Sequence, residues 1–220
     1  MPRRPRIVIP EVPLHLIQRG INRTPIFFDD ADYRCFLRAL LWASSRTGCA
    51  LHAYVLMNNH VHVLLTPGEA VSPVRMMQSI GALYVGYINQ RYARTGGLWE
   101  RRYRSSVVAS PRYFLACSRY IELNPVRAGL AVDPSQFRWS SYHRNALGRA
   151  DPMLVSHPVY QSLGKTDSSR QEAYRLLLQG DPDPAELEDL RAATRSGIQL
   201  GGRLDRHPAP FSLAKPGAAA

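Results

Sequence analysis

Apolar and polar residues alternate with period two along residues 12–19, 51–57 and 61–66, a pattern that predicts strands. Between these stretches the spacing changes to three and four. Phe36, Leu37, Leu40 and Leu41 fall on one face of a helix expected over residues 32–45. Asp29 or Asp30 can cap it, and Gly48 can close it. Val74, Met77, Ile80, Tyr84, Tyr87 and Ile88 mark a longer helix opening at Ser72 and Pro73 and running to Arg94, where Gly96 and Gly97 break it. Asn58 and Asn59 join the second and third strands as a hairpin turn. A fourth strand is expected over residues 103–109, and Pro111 opens a further amphipathic helix. The order βαββαβ predicts an α+β fold of the ferredoxin-like kind. That is an antiparallel sheet with helices on one face, followed here by one more helix and a C-terminal extension.

The pattern weakens after residue 150. Short helices are expected over residues 170–179 and 184–194, separated from each other by the linker-like Asp181-Pro182-Asp183-Pro184. Residues 201–220 are rich in Gly, Pro and Ala and are expected to be disordered. The expected organisation is one domain over residues 1–150, a helical extension over 151–200 and a tail over 201–220. Charge follows the same division. The 220 residues carry a formal net charge of +11, made of +12 within residues 1–150, where every base is an arginine, and −1 within 151–220. A basic first part beside a near-neutral second part points to a polyanion held by the first. Cys35, Cys49 and Cys117 are odd in number, lack a CxxC spacing and read as thiols of a reducing compartment. The basic N-terminus has no apolar signal core and no apolar run reaches membrane-spanning length, so a soluble, cytoplasmic protein is expected.

His60 and His62 stand two apart in an apolar strand and therefore point to the same side of it, where two imidazoles can grip one metal ion. Tyr120 and Asn124 stand four apart on the helix after the fourth strand and share one face of it, with Pro125 expected to stop that helix. Taken alone, each residue also has a plain structural explanation: histidines on a sheet surface, a core tyrosine, a helix-ending asparagine.

Together, HVH in a strand and a helical Tyr-x-x-x-Asn resemble the single-tyrosine class of HUH nucleases. Within that class the chain is most similar to the REP-associated tyrosine transposases, which are IS200-like. HLIQRGINR from His15, IFFDDAD from Ile26, GLWERRY from Gly97, YIELNPVRAGL from Tyr120 and WSSY from Trp139 fall in the family's order, spanning about residues 12–147. The resemblance implies a metal-dependent single-strand DNA endonuclease and strand transferase acting on palindromic hairpins. Tyr120 would be the nucleophile, forming a 5′-phosphotyrosine, and His60, His62 and Asn124 would hold a divalent ion, Mg²⁺ or Mn²⁺. Arg19, Arg23, Arg101, Arg102 and Arg104, with Trp99 and Tyr103, are the expected DNA contacts, as phosphate ligands and stacking surfaces. Association with the nucleoid follows from such a partner. The active unit could be a monomer or a homodimer, although the short Ser110-Pro111 link favours docking of the tyrosine helix on its own sheet.

Two features depart from the family pattern. Asn124 stands where other branches of the class carry glutamine, and Leu14 replaces the usual aromatic residue before His15. Two other functions compete with cleavage. One is a domesticated hairpin-binding protein that no longer cuts. The other is an RNA-binding sheet, which the absence of an RNP-like aromatic block disfavours.

Overall fold

The computed structural model describes residues 6–180 and 184–196. Both the disorder expected for 201–220 and most of the linker at 181–184 lie outside those residues. Four strands, β1 (Leu14–Arg19), β2 (Cys49–Met57), β3 (His60–Pro67) and β4 (Arg104–Val107), form one sheet in the order β2-β3-β1-β4, with every pairing antiparallel. This is the expected ferredoxin-like arrangement.

The pleat divides the sheet chemically. Leu14, Leu16, Leu56, Val61, Val63, Leu65 and Val107 face one side and build the larger core. Helix α1 (Asp30–Thr47) and helix α2 (Ser72–Ile80) pack there. Asp29 caps α1, accepting from the Asp32 amide while the Asp32 carboxylate accepts from the Asp29 amide, and Gly48 closes the helix at φ 66°. The expected long second helix is interrupted. A π turn over Gly81–Val85 separates α2 from α3 (Gly86–Arg91), so the regular spacing of its apolar residues conceals one inserted residue in the turn.

His15, Ile17, His60, His62 and Leu64 line the opposite side. Helix α4 (Pro111–Glu122) lies on its part nearest β2 and β3, through Phe114, Cys117 and Ile121. Ser110 caps α4 by accepting from the Tyr113 amide. Pro125 does not end the helical path. The chain bends at Leu123 (φ −86°, ψ 1°) and resumes as α5 (Asn124–Arg127), in whose first turn proline is tolerated.

The remaining helices are α6 (Tyr142–Asn145), α7 (Pro158–Gln161), α8 (Asp167–Gln179) and α9 (Pro184–Ser196). Backbone bonds from Leu56 to Trp139, from Ser141 to Tyr54 and from Val155 to Leu51 cover the free edge of β2, which protects it from pairing with another chain. Trp139 stacks on Tyr33 at 4.6 Å and joins the larger core. Leu190 and Ala193 of α9 enter the core beneath α4. Cys49 and Cys117 are buried, and all three thiols are free. No helix among the described residues is long and apolar enough to cross a membrane.

Candidate active site

His60 and His62 lie at the N-terminal half of β3, paired across the sheet with Arg19 and Ile17 of β1. The bulge-free register in that half keeps both rings on the α4 side, their centroids 4.9 Å apart. Each ring is held through Nδ1. Asn59 Oδ1 accepts from His60 Nδ1 at 2.6 Å, and His15 Nε2 shares a 2.9 Å hydrogen bond with His62 Nδ1. The Asn124 amide nitrogen donates to His62 Nε2 at 3.3 Å. The Tyr120 ring stands edge-on to both His62 and His15, with centroids 5.8 and 6.2 Å away. Tyr120 therefore reaches the histidine pair of its own chain.

Burial disfavours protonation of all three rings. It lowers the His15 pKa to about 3 and, with the Arg19 charge adding to it, the His60 pKa to about 4. His62 also falls well below its ordinary value, first through desolvation and then through His15 and His60. Neutral imidazoles are the form that can ligate a metal.

These side chains open onto a cavity of about 490 Å³. His60, His62, Tyr120, Asn124, Arg19, Arg23, Arg101, Arg102 and Arg104 all line it. The arginines arrive from different elements through local devices. Gly20 lets the chain turn sharply after β1, since a Cβ there would meet the Thr24 carbonyl at 2.5 Å and the Ile26 side chain at 2.6 Å. Asn22 and Arg23 then adopt positive φ (50° and 59°), an unusual conformation for arginine that Asn59 supports by donating to the Arg23 carbonyl at 2.9 Å. The segment carrying Arg101 and Arg102 is laced to β1. Ile21 N donates to the Leu98 carbonyl, Glu100 N to the Arg19 carbonyl and Gln18 Nε2 to the Arg101 carbonyl. Arg104 pairs with Ile17 and so shares the face of His62.

Trp99 and Tyr103 do not line the cavity. Tyr103 is 6 % exposed, sits in the larger core and carries the Arg6 guanidinium 3.7 Å above its ring. Trp99 packs against the same core and stacks on Tyr84 at 6.1 Å. Alternation about β4 sends Tyr103 to the side of the sheet opposite Arg104.

The structure adds groups that the sequence reading left out. Arg127 lies over the Tyr120 ring, 4.2 Å from its centroid, and donates to the Tyr120 carbonyl. Their spacing of seven, two helical turns, was the available signal. Gln18, Glu100 and Arg191 of α9 also line the cavity. Glu122, fully buried behind the site, accepts from Ser141 Oγ and Asn145 Nδ2 on one oxygen and from Tyr174 of α8 on the other. This network fixes the last turn of α4, between Tyr120 and Asn124, to two segments, α6 with its N-cap and α8.

The donor set can be tested for a divalent ion. Among the described residues no three His, Cys, Asp or Glu side chains are disposed to hold a metal. Two imidazoles must then be supplemented by an amide oxygen. A half-turn of the Asn124 amide exchanges Nδ2 for Oδ1 beside His62 and supplies it. Two neutral nitrogens and one carbonyl, with coordination positions left for water or phosphate oxygens, suit a loosely held Mg²⁺ or Mn²⁺. The residues fit such an ion.

A family model described as "Transposase IS200 like" matches residues 9–124, a span that includes β1 to β4, the histidine pair, Tyr120 and Asn124. No curated protein matches the chain. Among solved structures, a REP-associated tyrosine transposase bound to a REP hairpin is similar, with 16 % identity and a TM-score of 0.55 over 72 % of this chain and 93 % of that one. That likeness concerns the fold. A second structure, of a transposase candidate from Deinococcus radiodurans R1, has 20 % identity over 55 % of this chain and 95 % of that one, at a TM-score of 0.38. The family match covers more than half of the 220 residues, and the chain belongs to the IS200-like transposases.

Proposed function

We propose that this chain is a divalent-metal-dependent endonuclease and strand transferase for single-stranded DNA beside a hairpin, working through a 5′-phosphotyrosine on Tyr120. The observation that supports it best is the meeting of Tyr120, His60, His62 and Asn124 at one cavity ringed by arginines. The hairpin in the similar transposase complex supplies the substrate class.

In this reading the scissile phosphate enters among Arg19, Arg23, Arg101, Arg102 and Arg104, whose guanidiniums neutralise it and fork onto its oxygens. His60, His62 and Asn124 bind the ion, which when present supplies Lewis-acid polarisation of a non-bridging phosphate oxygen. The Tyr120 oxygen attacks phosphorus and displaces the 3′-oxygen of the preceding nucleotide. One P–O bond forms as another breaks, so the bond energy is retained for later rejoining. Arg127 over the ring face holds the phenol in place for that attack. One nucleophile serves one strand, and a duplex would hold that strand away from the histidine face.

The test is incubation of a labelled hairpin carrying a single-stranded flank with Mg²⁺ or Mn²⁺. Cleavage with a protein-linked 5′ product is expected, and chelation should stop it. Tight binding without cleavage under any divalent ion would instead favour the hairpin-binding alternative.

A further inference from the structure

We propose that Asn59 is a positioning residue that fixes the tautomer of His60, so that the ring carries its proton on Nδ1 and turns an unprotonated Nε2 toward the cavity. The orientation of the Asn59 amide is set by its partners. Asn59 Nδ2 donates to the Arg23 carbonyl at 2.9 Å, and a carbonyl oxygen can only accept. The amide cannot be turned over without setting its own oxygen against that carbonyl. Asn59 Oδ1 is therefore the atom that meets His60 Nδ1 at 2.6 Å. An amide oxygen has no proton to give, so Nδ1 must be the donor. At pH 7.5, above the ordinary imidazole range, the neutral ring has one proton, and with that proton on Nδ1 the lone pair is on Nε2.

Asn59 is well placed for this task. It follows Asn58 in the β2–β3 hairpin, and its own carbonyl accepts from Gly20 N at 2.9 Å. Backbone and side chain together tie the hairpin to the Gly20–Arg23 turn. The amide thus joins two parts of the cavity, the turn that carries Arg23 and the ring of His60. In solution a free imidazole divides its proton between both nitrogens. The hydrogen bond removes the form that cannot ligate through Nε2 and holds the ring plane steady. Comparable outer partners of ligating histidines are worth about 10–100-fold in metal affinity.

The inference rests on the reading of His60 as a cation ligand, but its core can be measured without any metal. The metal-free full chain, labelled with ¹⁵N-histidine at pH 7.5, reports each tautomer through two-bond ¹H–¹⁵N correlations, with His60→Gln assigning the ring. His60 is expected as the Nδ1–H form. Asn59→Ala should redistribute the proton toward Nε2 and weaken Mn²⁺ binding, measured by titration calorimetry, about tenfold or more. Asn59→Asp keeps an acceptor for Nδ1–H but cannot donate to the Arg23 carbonyl. It should retain the tautomer and the Mn²⁺ affinity while lowering thermal stability, a separation that a merely structural role would not produce. A parent ring protonated on Nε2, or an Asn59→Ala protein with unchanged tautomer and Mn²⁺ affinity, would overturn the proposal. If the tautomer shifts in Asn59→Ala while neither protein binds Mn²⁺, the positioning stands and the metal-dependent reading of the site falls.

Discussion

The guanidinium of Arg127 lies over the ring of Tyr120, 4.2 Å from its centroid, and is held there by a hydrogen bond to the Tyr120 carbonyl. A cation over the face of a tyrosine ring is attracted to it and holds it in one position. Removing it by Arg127→Met should slow single-turnover cleavage at pH 7 by about tenfold, the kinetic equivalent of roughly 1.4 kcal/mol. An unchanged rate would confine Arg127 to structural support.

Glu122 makes a separate prediction about stability. Its carboxyl is fully buried and collects three side-chain donors, from Ser141, Asn145 and Tyr174. Burial raises its pKa to about 7, against the lowering effect of those hydrogen bonds. Glu122→Ala strands the donors in the interior and should cost about 3 kcal/mol or more in urea unfolding, since each buried group left unpaired costs roughly 1–3 kcal/mol. Tyr174→Phe removes a single bond from α8 and should cost about 1 kcal/mol. Because Tyr174 lies in the region after residue 150, a measurable loss there would show that this region helps hold the helix bearing Tyr120.

Strand and helix positions were legible in the sequence because burial on one or two faces enforces period two or period three-to-four. The HxH pair was legible for the same reason. What the one-dimensional pattern could not carry was pairing across the sheet. Asn59 and Arg23 are 36 residues apart and meet only because the β2–β3 hairpin folds against the turn after β1. Glu122 reads as one more charged helix position, and its donors lie 19, 23 and 52 residues away. Tyr103 is a different case. It alternates with Ser105 and Val107, so period two already assigned it to the core side, yet its arginine neighbours drew it into the expected DNA surface. The π turn at Gly81–Val85 escaped notice because one extra residue in a turn barely disturbs an apolar stripe.

His52 links the fold to pH. Its Nδ1 donates to the Val155 carbonyl, and in the neutral ring its Nε2 accepts from Thr66 Oγ1. Burial lowers its pKa to about 4 from 6.5. As pH falls from 6.5 toward 4, the unfolded chain takes up a proton that the folded ring refuses, so folded stability declines through this window. The contribution amounts to about 3 kcal/mol. The raised pKa of Glu122 acts in the opposite sense between about pH 4.5 and 7, but it is common to parent and variant. His52→Gln should therefore show a shallower acid loss than the parent in urea unfolding measured from pH 7 to 4. Parallel curves would refute the assignment.

The claim that matters most is that Tyr120 is the nucleophile. Tyr120→Phe removes one oxygen and keeps the ring between His15, His62 and Arg127, so folding should change by no more than about 0.5–1.5 kcal/mol. Tyr113, earlier on α4, places its hydroxyl 2.8 Å from Asp189 and serves as the internal control. The decisive measurement is recovery of the covalent protein–DNA adduct from a Mn²⁺ cleavage reaction, with the modified residue mapped by peptide mass spectrometry. The prediction is an adduct on Tyr120 in the parent and in Tyr113→Phe, and none in Tyr120→Phe. Cleavage that persists in Tyr120→Phe, or an adduct that maps to Tyr113, would contradict it.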